Sequence, residues 1–196
     1  MTSLRHLVFA SNNQHKVAEI QEVLPPWIVL QTLKDIGCNE ELPETSPTIE
    51  GNAIQKAQYL YDKYHSPCFA DDTGLEIEAL GGRPGVYSAR YAGPNRAADA
   101  NMKKVLEELQ GIENRNAQFK TVIALVLDGK PILFEGIVKG VITIKPMGVQ
   151  GFGYDPIFRP LSSELTFAEM PIELKNTISH RALAAAKLVD FLKHHI

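Results

Sequence analysis

Asp71 and Asp72 stand side by side at the end of a short apolar run, Pro67-Cys68-Phe69-Ala70, and precede Thr73-Gly74-Leu75. An apolar run ending in acids and a glycine reads as a buried strand that delivers charge to a cleft just before a tight turn. Carboxylates at the edge of a core are paired or hold a metal, because an uncompensated buried charge is costly. Alone, the stretch fits a structural turn equally well.

Other residues point to phosphate chemistry. Ser11-Asn12-Asn13-Gln14-His15 is a polar loop between an apolar strand and a helix that carries Lys16 in its first turn. Unpaired backbone N–H groups at a helix start attract an anion, small polar side chains add donors, and a lysine adds a point charge suited to phosphate. The glycines of a Walker loop are missing, and a plain helix cap with a solvated lysine is the alternative. Glu44 is a hard oxygen ligand able to join Asp72 around a magnesium ion; the alternative is a solvated loop acid. Asn52 and Lys56 open the next helix, where an ordinary cap and surface charge are equally natural.

Gly148 to Phe158 reads Gly-Val-Gln-Gly-Phe-Gly-Tyr-Asp-Pro-Ile-Phe. Its glycines let the backbone approach a flat ligand, and Phe152 or Tyr154 can stack on a base; packed aromatics in a tight core turn are the alternative. Lys175-Asn176-Thr177-Ile178-Ser179-His180-Arg181 precedes the last helix, with Ser179 as its natural cap. That would bring a helix start and two donor side chains to one corner.

The elements that must position these groups follow from periodicity. Strands are expected at Leu4 to Ala10, Ile28 to Leu30, Pro67 to Asp71 and Leu75 to Ala79, the last two flanking the acidic turn. Helices are expected at Lys16 to Leu24, Asn52 to Tyr64, Ala97 to Leu109 (Ala98, Met102, Val105, Leu106 and Leu109 inward) and His180 to about His194. Lys34 to Pro47 reads as an exposed loop and Gly81 to Pro94 as a glycine- and proline-rich one. Phe119 to Leu127 and Ile132 to Thr143, joined by Asp128-Gly129-Lys130, form a hairpin, so part of the sheet is antiparallel. The fold class is α/β with a mixed sheet.

The chain has 196 residues, 44% apolar and 22% charged, the balance of a globular protein with one core or two joined lobes. A net charge of −3 argues against a nucleic-acid surface, so a polyanionic ligand must be held by local lysines. Cys38 and Cys68 have neither metal-ligand spacing nor a disulfide framework and read as reduced thiols of a cytoplasmic protein. No stretch approaches membrane-spanning length, and no secretory h-region is present.

Together the motifs resemble the inosine/xanthosine triphosphate pyrophosphatase family, over nearly the whole chain and in order. They are Ser11-Asn12-Asn13 with Lys16 and Glu19; Glu44; Glu50-Gly51-Asn52-Ala53 with Lys56-Ala57; and Ala70 to Leu75. Pro84 to Tyr91, Gly151 to Phe158 and Ser179-His180-Arg181 complete the set. Thr73 stands where that family most often has serine, and Leu161-Ser162-Ser163-Glu164 lacks a glycine often found there.

The resemblance implies an elongated mixed β-sheet with flanking helices, in which residues 1–196 form a single domain of two lobes around a central cleft, usually as a homodimer. It also implies Mg2+-dependent hydrolysis of a purine nucleoside triphosphate to the monophosphate and pyrophosphate. On that reading Glu44 and Asp72 are the metal-side carboxylates and Asp72 the general base, with Asp71 able to share either job. Ser11, Asn12, Asn13, Gln14, His15 and Lys16, with Lys56 and Lys175, serve the triphosphate, and Thr73 is a further substrate contact. Phe152, Gly153, Tyr154, Asp155, Lys175, His180 and Arg181 serve the sugar and base, where a donor from the His180-Arg181 corner would select a 6-oxopurine over adenine. A purine nucleotide sensor without turnover is the alternative. A haloacid-dehalogenase phosphatase would need an Asp-x-Asp pair, and here the acids are adjacent.

Overall fold

In the computed structural model, which describes residues 5–195, the first strand is β1, Arg5–Phe9; Leu4, expected to begin it, lies outside the described residues. Leu7, Val8 and Phe9 are all buried, so both faces of the strand are covered, as an interior parallel strand requires. β1 pairs in parallel with β2 (Ile28–Thr32) on one side and β3 (Cys68–Ile77) on the other.

Between β1 and β2 runs α1 (Gln14–Val23), which begins two residues before the expected Lys16. The reason is Asn13, whose side-chain oxygen accepts from the N–H groups of His15 and Lys16 at 3.0 and 3.4 Å. Gln14 and His15 are therefore helix, not loop. Leu24, extended ahead of Pro25, ends the helix. α2 (Ile49–Tyr64) likewise starts three residues early, because Thr48 caps it by accepting from Gly51 N–H at 3.0 Å. The segment 34–47 has no regular structure, yet Cys38 is buried and Glu44 half-buried, so it is less exposed than expected.

The largest departure from the sequence reading is at β3. Two strands around an acidic turn were expected, but one ten-residue strand passes straight through Asp71, Asp72, Thr73 and Gly74. Its start is paired with β1, while Leu75 and Glu76 pair antiparallel with β4 (Pro84–Gly85). A partner at each end keeps the backbone extended across the glycine.

β5 (Asn116–Val126) and β6 (Pro131–Ile142) are neighbours joined by residues 127–130, a connection too short for a parallel crossover. β7 (Phe158–Pro160) lies antiparallel on β6. The order is β2-β1-β3-β5-β6-β7, with β4 on β3. The fold is thus mixed α/β, as the sequence predicts. α3 (Ala98–Glu108), α4 (Ile172–Ile178) and α5 (His180–His195) complete it. In α3, Ala98 is exposed, and buried Asn101 holds Ala89 O at 3.1 Å and Ala92 N–H at 2.7 Å. The seven-residue α4 was not expected; it follows Pro171 and has no side-chain cap to announce it.

The chain divides into two compact units. The first comprises residues 1–72, 121–136 and 181–196, and the second residues 73–120 and 137–180. In the first, Leu7, Phe9, Ile20, Phe69, Ile123, Leu125, Leu188 and Leu192 form a core in which Phe9 stacks on Phe69 at 4.7 Å. In the second, Leu75, Ile77, Val105, Phe119, Ile142, Phe158 and Phe167 pack together. No described helix is long and apolar enough to cross a membrane.

Candidate active site

Side chains alternate along a strand, so Asp71 and Asp72 leave β3 in opposite directions and meet different surroundings. Asp71 is sealed at 1% exposure. Its Oδ1 accepts from Lys16 Nζ at 2.9 Å and its Oδ2 from Arg181 Nε at 3.3 Å, while Arg181 Nη1 also pairs with Glu19. Burial works against the Asp71 charge, but Lys16, Arg181 and Lys56 outweigh it and hold the carboxyl well below the usual range. The same burial lowers the pKa of Lys16, with Asp71 opposing.

Asp72 is half-buried. Its Oδ2 accepts from Asn52 Nδ2 and its Oδ1 from Lys56 Nζ, at 3.3 and 3.4 Å. Lys56 Nζ also donates to Glu44 Oε1 and to the Asp71 carbonyl, both at 2.7 Å. Burial raises the Asp72 pKa; Lys56 and Lys16 pull it down, and Glu44 and Asp71 push it up. Burial also opposes the charge of Lys56, yet Asp72, Asp71 and Glu44 together keep its pKa above the ordinary lysine value. The two adjacent acids are thus shifted in opposite directions, Asp71 down by its cations and Asp72 up by burial.

Glu44 and Asp72 converge on one ammonium, so two carboxylate oxygens already face the place of a cation. That donor set suits magnesium, a hard ion that takes one or two carboxylates and completes its shell with water and phosphate oxygens. No cluster of three or more His, Cys, Asp or Glu able to hold a metal occurs among the described residues. Beside this cluster the loop before α1 is tied by Asn13 N–H to Ser11 Oγ at 3.2 Å, with Asn12, Asn13, Gln14 and His15 exposed. Thr73 follows in β3, half-buried.

The second unit holds a separate cluster. Asp155 Oδ2 accepts from Phe152 N–H at 2.9 Å and from Lys175 Nζ at 2.8 Å, and both ion-pair partners are buried. The glycine loop wraps this carboxylate closely: a Cβ on Gly151 would stand 2.1 Å from Asp155 Oδ2. Lys175 Nζ also sits 5.2 Å from the centre of the Phe152 ring, a cation–π distance. Gly153 takes a left-handed φ of 64°. Tyr154 is buried and its hydroxyl donates to Ser88 O at 2.7 Å, which leaves half-buried Phe152 as the aromatic able to stack on a ligand.

His180 stacks on Phe119, with ring centres 4.4 Å apart. Arg181, the next residue, turns instead to Asp71 and Glu19 in the first unit. Consecutive helical residues diverge by about 100° around the axis, so these two side chains leave the helix start in different directions. The sequence reading also gave no role to Glu19, Asn52 or Phe119. Glu19 was signalled by standing one turn after Lys16. Asn52 stands in a family motif, with a helix cap as its alternative, but Thr48 is the cap, and Phe119 carried no signal within its apolar strand.

The sheet and the charged cluster define a mixed α/β protein with an anion loop at a helix start and two carboxylates facing a cation position. Comparison with known proteins makes the assignment specific. The chain belongs to the Ham1 family, whose model matches residues 7–191. It is 59% identical over 186 residues to the dITP/XTP pyrophosphatase of Flavobacterium johnsoniae, covering 95% of this chain and 97% of that one. To the dITP/XTP pyrophosphatase of Flavobacterium psychrophilum it is 57% identical over 188 residues, covering 96% and 99%. Among solved structures, the Staphylococcus aureus Ham1 protein superposes with a TM-score of 0.90 at 38% identity, covering 98% of this chain and all of that one.

Proposed function

We propose that this protein is a nucleoside triphosphate pyrophosphatase that hydrolyses deaminated purine nucleotides (dITP, ITP, XTP) and so removes them from the nucleotide pool. Water adds to the α-phosphorus, the bond from that phosphorus to the bridging oxygen breaks, and pyrophosphate leaves from the nucleoside monophosphate. The observation that carries this reading is the convergence of Glu44 and Asp72 on Lys56 beside Lys16, in a chain with full-length relatives named for that activity.

Asp72 accepts the proton of the attacking water, supported by the burial that raises its pKa. Asp71, already bound by two cations, keeps Lys16 in place. Lys16, Lys56, Thr73 and the donors of Ser11, Asn12, Asn13, Gln14 and His15 take the triphosphate. Glu44 and Asp72 would hold Mg2+, which when bound would lower the pKa of a water and offset charge on the leaving group. In the second unit, Phe152 stacks on the base. Gly153, Tyr154 and Asp155 shape the loop around it, and Lys175 and His180 supply donors that favour a 6-oxopurine. Arg181 contributes through Asp71.

Residues 1–196 are read as one ITPase-like domain of two lobes, supported by a single family match across 7–191. The protein is read as a cytoplasmic homodimer without nucleic-acid or membrane partners, which rests on the family resemblance and, for nucleic acid, on a net charge of −3. The deciding experiment follows pyrophosphate released from dITP and XTP, against dATP and dGTP, with Mg2+ and with chelator. Metal-dependent release from dITP and XTP is expected. Tight binding of both nucleotides without release would identify a sensor instead.

A further inference from the structure

One buried acid has no task in the scheme above. Glu19 lies on α1 three residues after Lys16, on the same face of the helix, and is 6% exposed. A carboxylate in that position must be compensated. Its partner is Arg181, which holds Asp71 Oδ2 at 3.3 Å, and Asp71 Oδ1 takes Lys16 Nζ at 2.9 Å. The four charges alternate in sign and close a ring that begins and ends on α1. All four belong to the first unit. Three side chains are 6% exposed or less, and Lys16, at 18%, is the member that reaches outward.

This ring fixes the rotation of α1 about its own axis. Lys16 is tied to β3 and Glu19 to the first turn of α5, so turning the helix either way breaks an ion pair. The same helix start carries the cap at Asn13 and the donors of the anion loop. An error in its rotation would therefore displace the ammonium and the backbone N–H groups together.

We propose that Glu19 is a positioning residue for the triphosphate: through Arg181 and Asp71 it orients Lys16 and the opening turn of α1 toward the phosphates. The proposal rests on reading this cluster as the triphosphate site of a pyrophosphatase.

Magnesium tripolyphosphate, which has neither sugar nor base, is the probe. Glu19→Gln should raise its Kd about five- to tenfold, the size expected for residues coupled through one network. The KM for dITP should rise by a similar factor, more than kcat falls. Because that variant leaves Arg181 under-compensated, a second one pairs Glu19→Met with Arg181→Met, removing both charges while keeping bulk. It should show the same loss of tripolyphosphate binding. In a Lys16→Met background, Glu19→Gln should add nothing further, since its effect passes through Lys16. Unchanged affinity in both variants, or an undiminished effect of Glu19→Gln without Lys16, would overturn the proposal and leave Glu19 a purely structural residue. If the unaltered protein bound tripolyphosphate with this coupling but released no pyrophosphate from dITP, Glu19's role would stand and the hydrolytic reading would fall.

Discussion

A carboxylate that takes a proton from water must reach that water. Asp71 is sealed and has both oxygens held by Lys16 and Arg181, whereas Asp72 is half-buried, and burial raises its pKa against the pull of Lys56 and Lys16. Asp72→Asn should therefore lower kcat by about two to four orders of magnitude, the span of general-base loss, measured at saturating Mg2+ on dITP. Near-normal turnover would remove Asp72 from the chemistry. Phe152→Ala should weaken dITP and dATP alike, because stacking does not read the edge of a base; a steady-state comparison in which only dITP suffered would give Phe152 a part in selection. The residue types at this site were legible in the sequence, since acids, lysines and glycines punctuate apolar runs. Their pairing was not. Which of two adjacent aspartates meets Arg181 depends on contacts across 110 positions of chain, and no local pattern encodes them.

Among the elements, the glycine loop that begins at Gly148 is tightly constrained by backbone contacts. Gly148 has a φ of 83°, and a Cβ there would stand 2.3 Å from the carbonyl of Ala168. The backbone N–H groups of Val149 and Gln150 both donate to that same carbonyl, at 3.1 and 3.0 Å. Gly148→Ala should cost at least about 1–2 kcal/mol from the left-handed backbone alone, with the clash adding to it. It should also reduce the affinity for dITP by shifting Phe152; thermal melting and KM measured on the same sample check both. Helices and strands with a strong period were readable to within a few residues. Their starts were missed where Asn13 and Thr48 cap earlier than the apolar pattern begins. β3 was misread because Asp-Asp-Thr-Gly has turn composition, and only its partners at each end hold it straight.

At the scale of the whole molecule, buried acids set an alkaline limit. Burial pushes the Cys68 thiol up to about 12, with Asp62 adding to it. Burial also pushes the Tyr91 hydroxyl up to about 12, helped by its hydrogen bond to Glu108. Unfolded, these groups ionise near 9 and 10. Their raised folded values therefore support the fold fully below pH 9 and progressively less as the pH climbs toward 12. The urea midpoint should be flat from pH 7 to 9 and fall above that range; a midpoint rising between pH 9 and 11 would contradict the assignment. With its pKa pushed up to about 12 and its side chain buried, the Cys68 thiol should resist alkylation at pH 8 until the protein is unfolded.

The first unit is assembled from three separate stretches of chain, and the last of them is α5 from Arg181 onward. Leu188 and Leu192 of that helix share a core with Leu7 and Phe9 of the first strand. During synthesis, β1 and α1 must then wait for α5. Until the final helix leaves the ribosome, β1 and α1 have an open hydrophobic face, and Asp71 and Glu19 lack the arginine that reconciles them. Long sequence separation between partners slows folding and prolongs exposure to aggregation. A nascent chain stalled before residue 181 should accordingly be protease-sensitive over residues 1–72, although every other segment of the first unit has already been made.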